Sequence, residues 1–252
     1  MRLLLLGGTL EARTVAQALA ISGIDAVYST AGRTEVPLLQ PLAHRIGGFG
    51  GVEGLRTYID AHQITHVIDA THPFAAQMSQ NAFVACGADI KLLRLERAPW
   101  QETAGDSWLH VPNVEAALGA LPTYPARVFL AIGKQNLTPF AQVPQHFYLL
   151  RLVDPAPEGV FGLQSVHAII DRGPFDVADD LALLRDHQIS HIVAKNSGGT
   201  GARAKLEASQ ILGLPVLMID RPTLPQSAVA YSVTDVFAWL GHSTPIGTNL
   251  GV

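Results

Sequence analysis

The 252-residue chain predicts an α/β fold of two similar doubly wound, Rossmann-like domains with parallel sheets. Three observations carry the prediction. Short apolar, β-rich runs alternate with helix-length segments along the whole chain, the order that βαβ units produce. Those runs are apolar throughout rather than alternating, as expected of strands covered by helices on both faces. Landmarks of the first half also return about 125 residues later. HQITHVI at 62–68 comes back as HQISHIV at 187–193, LLLLGGT at 3–9 falls on VFLAIGK at 128–134, and LLRLERAP at 92–99 lies close to LMIDRPTL at 217–224.

Taken in order, Arg2–Leu6 reads as a buried strand. Its run of four leucines is shorter than the roughly 7–15 apolar residues of a secretory signal. A Gly7-Gly8 turn leads into a helix over Thr9–Ser22, which the Thr9 hydroxyl can cap. Ala26–Ser29 is the next strand, Gly51–Ala61 a helix, and Val67–Asp69 a strand. A helix over Phe74–Ala85 follows, with Pro73 at its first helical position, and Lys91–Arg94 closes the first set. The join falls around Pro99–Trp108, giving domains 1–100 and 101–252. The second domain predicts strands at Arg127–Ala131, Phe147–Arg151, His167–Ile170, His191–Ala194 and Val216–Ile219. Its helices fall at Val177–Asp186, Ala202–Leu212 and Val233–Leu240.

Composition excludes several functions. A net charge of −4 without a basic run argues against nucleic acid as a partner. No stretch approaches the roughly 20 apolar residues of a membrane helix. Cys86 is the single cysteine, which rules out an intrachain disulfide and fits a reducing, cytoplasmic setting. His62-Gln63-Ile64-Thr65-His66 imitates a zinc-protease motif, but Gln63 cannot act as a base and the segment runs into a strand. No metal is expected, and the paired histidines read as connectors between helix and strand.

Four turns carry chemistry. Gly7-Gly8-Thr9-Leu10-Glu11 leaves the first strand and opens a helix, where glycines admit a phosphate and free amides meet it. The third glycine of G-x-G-x-x-G is missing, with Ala12 or Arg13 in its place, so a plain turn and a phosphate site both stay open. After the second strand no acid appears before Glu35. Ser29, Thr30 and Arg33 stand there instead, a set suited to a ribose 2′-phosphate and so to NADP rather than NAD. Asp69-Ala70-Thr71-His72-Pro73-Phe74 leaves the central strand, with Thr71 and His72 directed to the crevice where open α/β sheets bind ligands. Lys195-Asn196-Ser197-Gly198-Gly199-Thr200 is the counterpart in the second half, a glycine turn with a cation; it is not a Walker loop.

These residues resemble the precorrin-6A reductase family of cobalamin biosynthesis. The likeness rests on G-G-T-x-E at 7–11, D-A-T-H-P-F-A at 69–75 with Ser79 and Asn81 after it, and L-R-L-E-R-A-P-W at 93–100. K-N-S-G-G at 195–199 and I-D-R-P at 219–222 complete it, so the motifs span almost the whole chain in order. The resemblance implies an NADPH-dependent oxidoreductase that removes one carbon–carbon double bond of precorrin-6A to give precorrin-6B, by hydride and proton addition. It implies two α/β domains with cofactor and substrate in the cleft between them, and no metal or second organic cofactor. Gly7, Gly8, Thr9 and Glu11 would meet the dinucleotide, and Ser29, Thr30 and Arg33 its adenosine phosphate. Thr71 and His72 would stand near the nicotinamide, with Lys195, Ser197, Gly198 and Gly199 facing them. Lys195, His72 or water would supply the proton. Arg94, Arg97, Lys134, Lys195 and Arg203 could serve the carboxylates of a corrinoid precursor, which neighbouring pathway enzymes would hand over and receive. The cobalt-precorrin-6A branch shares the motifs; a dinucleotide-sensing module and a small two-lobed glycosyltransferase are the remoter readings.

Overall fold

The computed structural model describes residues 1–32, 39–157 and 159–241. Its elements run β1 (Leu3–Leu6), α1 (Leu10–Ile21), β2 (Ala26–Thr30), β3 (Ala43–Ile46), α2 (Gly51–Ala61), β4 (His66–Asp69), α3 (Ala76–Cys86) and β5 (Lys91–Leu95). Then come β6 (Trp108–Val111), α4 (Val114–Gly119), β7 (Arg127–Ala131), β8 (Phe147–Leu152), β9 (Val166–Ile170), α5 (Val177–Asp186) and β10 (His191–Lys195). The chain closes with α6 (Ala204–Leu212), β11 (Val216–Ile219), β12 (Ala228–Ala230) and α7 (Val233–Leu240).

Two six-stranded sheets form, in the orders β12-β5-β4-β1-β2-β3 and β6-β11-β10-β7-β8-β9, and every neighbouring pair is parallel. Both are doubly wound orders, in which the succession of strands reverses direction inside the sheet. The reversal falls between β1 and β4 in one sheet and between β7 and β10 in the other.

The expected boundary at 100/101 marks only one of two crossings. The compact units are Met1–Ala98 with the segment that begins at Pro222, and Pro99–Arg221. β12 pairs with β5, not with the strands that precede it in the chain. Ala230, Val236, Phe237 and Leu240 join Leu3, Leu5, Val15, Leu19 and Leu93 in one apolar core. Burying a side chain such as Phe237 stabilises by about 1.5–3 kcal/mol, so the first unit is incomplete without this C-terminal piece. Consecutive segments commonly stay together in one unit, so the sequence alone points to a single crossing.

The internal repeat extends to individual bonds. The Thr65 hydroxyl bonds the backbone of Arg2, and the Ser190 hydroxyl bonds the backbone of Arg127. Both arginine side chains donate to a histidine carbonyl, Arg2 to His62 and Arg127 to His187. Gln63 and Gln188 both adopt left-handed backbone, at φ 53° and 50°, and end a helix where glycine is the usual choice. The repeated histidines are scaffold: His62 stacks on Tyr58, and His187 on Phe147 and His167.

The halves differ after β1 and its counterpart β7. β1 leads into the 12-residue α1, whereas β7 leads into two short 3₁₀ turns at Lys134–Asn136 and Thr138–Gln142. Among the described residues, β1 is thus followed at once by a full helix, whereas β7 is not.

Candidate functional site

In the first unit the exits of β1 and β4 lie side by side, and Thr9 joins them. Its extended backbone makes it the N-cap of α1. Its hydroxyl accepts from the Ala12 amide at 3.1 Å and donates to the Ala70 carbonyl at 2.8 Å. The two glycines before it have different reasons to be glycine. A Cβ on Gly7 would lie 2.3 Å from Cζ of Tyr28, so the ring takes that space. Gly8 has φ +116°, and a Cβ there would meet nothing within 4 Å. Such open space over a backbone that only glycine readily adopts fits a group lying close to the chain. Glu11, in the first helical turn, is paired with Arg97 at 2.9 Å. That partner is 86 residues away in sequence, beyond the reach of any local pattern.

At the exit of β2, Ser29 is buried and Thr30 half-buried. β3 supplies partners for both that the sequence reading missed. Arg45 Nη1 lies 3.4 Å from the Ser29 hydroxyl, and His44 Nε2 lies 3.0 Å from that of Thr30. Arg45 also donates to the carbonyls of Gly47 and Gly48 and stacks on Phe49, 3.8 Å from the ring centroid. The strand AHRI has no apolar run to reveal it. Arg33 lies outside the described residues.

At the exit of β4, the buried Asp69 carboxylate accepts from the Thr71 amide at 3.1 Å and from its hydroxyl at 2.6 Å. His72 is exposed, and its Nδ1 accepts from the Phe74 amide at 3.2 Å. A neutral ring in this geometry carries its proton on Nε2. Pro73 does not start the helix. The His72 carbonyl accepts from the Ala75 amide at 2.7 Å and closes a β-turn with Pro73 at its second position, and α3 begins only at Ala76. Proline suits that turn position as well as it suits a helix start, which is why sequence alone did not separate them.

In the second unit Lys195 ends β10, half-buried, and the turn after it is tied down at several points. The Asn196 side chain pairs with both backbone groups of Trp100, accepting at 2.7 Å and donating at 3.0 Å. Trp100 Nε1 donates to the Gly199 carbonyl at 2.7 Å. Arg221 donates to the carbonyls of Asn196 and Ser197, at 2.9 and 3.1 Å. Gly198 and Gly199 follow in left-handed backbone, at φ 69° and 74°. An open groove of about 480 Å³ beside the turn is lined by Trp100, Glu102, His110, Asn196, Asp220 and Arg221, among others.

The family model described as "Precorrin-6x reductase CbiJ/CobK" matches residues 2–241. The chain belongs to the precorrin-6x reductase family. Among relatives of this reductase family, the precorrin-6A reductase of Rhodobacter capsulatus is 56% identical over 249 residues, covering 98% of this chain and 99% of that protein. The precorrin-6A reductase of Rhodococcus erythropolis is 44% identical over 246 residues, 96% of this chain and 98% of its own. The cobalt-precorrin-6A reductase of Synechocystis is 29% identical, over 88% of this chain and 89% of its own. A solved structure of CobK precorrin-6A reductase matches with a TM-score of 0.91 and 56% identity, covering 98% of this chain and 99% of that one.

Against that family background, the five expected carboxylate-binding cations divide. Arg94 is paired with Glu96, Arg97 with Glu11, and Arg203 with Glu207. Lys134 stands exposed in its 3₁₀ turn, and Lys195 is half-buried at its strand end. The A-P-W and I-D-R motifs of the family, which had no assigned role, provide Trp100 and Arg221, the residues that hold the Lys195 turn. Their spacing in sequence gave no hint of that shared task.

Proposed function

We propose that this chain reduces precorrin-6A to precorrin-6B with NADPH in cobalamin biosynthesis, acting on one carbon–carbon double bond of the macrocycle. The observation that carries this reading is the near-full-length 56% identity with a precorrin-6A reductase, against 29% with a cobalt-precorrin-6A reductase. That contrast also favours the metal-free macrocycle as substrate.

The first unit's turns fit the cofactor. Gly8 leaves room for the diphosphate, and the α1 N-terminus beyond Thr9 directs amides and the positive dipole end toward it. Gly7 holds the turn against Tyr28, and Glu11, fixed by Arg97, borders it. Ser29 and Thr30 border the adenosine phosphate, and Arg33 is assigned to it on sequence alone. Thr71, locked by Asp69, and His72 border the nicotinamide. The bound nicotinamide supplies the hydride. Lys195 supplies the proton in this reading, since an ammonium offers three donors and the surrounding turn is fixed. Ser197, Gly198 and Gly199 are cofactor-binding residues in the same reading, and His72 Nε2 is the alternative proton source. The reading places the chain in the cytoplasm, exchanging the macrocycle with neighbouring pathway enzymes.

The test is anaerobic. Adding precorrin-6A to enzyme and NADPH should oxidise the dinucleotide and give a product two hydrogens heavier. NADPH should also raise the melting temperature well above NADH. If the macrocycle leaves NADPH unoxidised, the reductase reading falls. An equal shift with both dinucleotides would remove the NADP assignment. Lys195→Met should abolish most turnover with NADPH binding retained; unchanged turnover clears Lys195 as donor.

A further inference from the structure

Tyr28 sits on β2 opposite Leu5 of β1 and is 1% exposed. The tip of its ring lies beside the Gly7-Gly8 turn, 2.3–2.6 Å from where a Gly7 Cβ would be. Its oxygen accepts the Gly8 amide proton at 3.0 Å. A phenol can accept and donate at once, and here only the accepting half is used: its own proton has no acceptor among the described residues. Burial pushes the phenol above the usual tyrosine range, opposed by the Gly8 amide and the charge of Arg13. The group therefore stays protonated and able to donate. The hydroxyl proton is thus available to a ligand lying against the Gly7-Gly8 turn.

In the common dinucleotide fingerprint, glycine lets the backbone approach the diphosphate directly. Here the Gly8 amide points inward to the phenol, while the space outside Gly8 is open. We propose that Tyr28 is a cofactor-binding residue whose hydroxyl donates to the diphosphate of the dinucleotide, taking over the donation that the Gly8 amide does not make. An O–H that already accepts an N–H is polarised and becomes a better donor. Arg13, on the first turns of α1, has no carboxylate partner among the described residues and adds positive charge to the same place. It also stands at one of the two positions where a third glycine would be sought. This inference rests on the reading that NADPH occupies the first unit's turn.

Calorimetric titration of the wild-type enzyme and Tyr28→Phe with NADPH and with NADH tests it. Phenylalanine keeps the ring against Gly7 and removes only the hydroxyl. Because both dinucleotides share the diphosphate, each should weaken by the same factor, about tenfold or more for one hydrogen bond to a charged group. An unchanged dissociation constant overturns the proposal, and so does a loss confined to NADPH, which would put the hydroxyl on the 2′-phosphate. If the wild-type enzyme binds neither dinucleotide, the cofactor reading falls and this proposal with it; binding by wild type separates the two failures. A second measurement needs no variant. With tyrosine labelled by ¹³C at Cζ, one of the five tyrosine signals, that lost in Tyr28→Phe or else assigned through the ring, should move on adding NADPH. A stationary Tyr28 signal sinks the contact.

Discussion

At the residue scale, Gly7 and Gly8 show that one dipeptide can answer to two different demands. Gly7→Ala would drive a methyl into the Tyr28 ring. Overpacking of this kind costs about 1–3 kcal/mol, so the variant should melt several degrees lower without any ligand present. An unchanged melting temperature would show that the ring yields freely. Cys86 is 1% exposed, with burial pushing its thiol up to about 12. A thiol reagent at pH 8 should find no reactive group in the native protein and one after denaturation; reaction in the native state would contradict its burial. His146 is wholly buried, accepts the Ala126 amide at 3.1 Å, and has no partner for Nε2 among the described residues. Burial, then the charge of His191, lowers its pKa, and burial lowers that of His191 too. In both, the unfolded chain binds protons more tightly than the folded one. Stability is therefore fully present above the ordinary histidine value of about 6.5 and declines as pH falls below it. Melting curves at pH 7.5 and pH 5 should show that decline, and His146→Gln should flatten it.

At the element scale, the Lys195 turn depends on residues distant in the chain. Asn196 holds Trp100, and Arg221 holds Asn196 and Ser197. Asn196→Ala would leave two Trp100 backbone groups without partners in a buried setting, a loss of about 1–3 kcal/mol. If the turn serves catalysis through Lys195, Arg221→Met should cut turnover in the wild-type background and add little in a Lys195→Met background. Additive losses in that double-mutant cycle would reduce Arg221 to a stabilising role. Much at this scale was legible. The Gly7–Thr9 turn, the Asp69–His72 exit and the Lys195–Gly199 turn all lie at strand ends, because apolar runs ending in glycine or proline mark those ends. What was not legible depends on long-range partners: Arg97 for Glu11, Trp100 for Asn196, and β3, whose AHRI sequence lacks an apolar pattern.

At the scale of the whole molecule, the doubling of the fold was readable because the repeat preserves scaffold residues such as His62 and His187. The return of the chain to its first sheet was not, since Ala228–Ala230 is three residues long and carries no motif. Its importance is nonetheless testable. Residues 99–221 are contiguous and hold a complete six-stranded sheet, so that fragment should fold alone with a cooperative melt. Residues 1–98 lack β12 and α7, leaving Leu3, Leu5 and Leu93 without part of their cover, and should remain unfolded or aggregate. A native-like melt of the short fragment would contradict the role given to the C-terminal segment.

That late-arriving strand also sets an order of events on the ribosome. Domains generally fold as they emerge, N-terminal first. Here residues 1–98 are made before the unit at 99–221 but must wait for β12 and α7, which follow residue 221, while the unit encoded between them is already complete. The first unit is thus finished after the second, and a message cut short after residue 221 yields a chain that can fold its second unit but never its first.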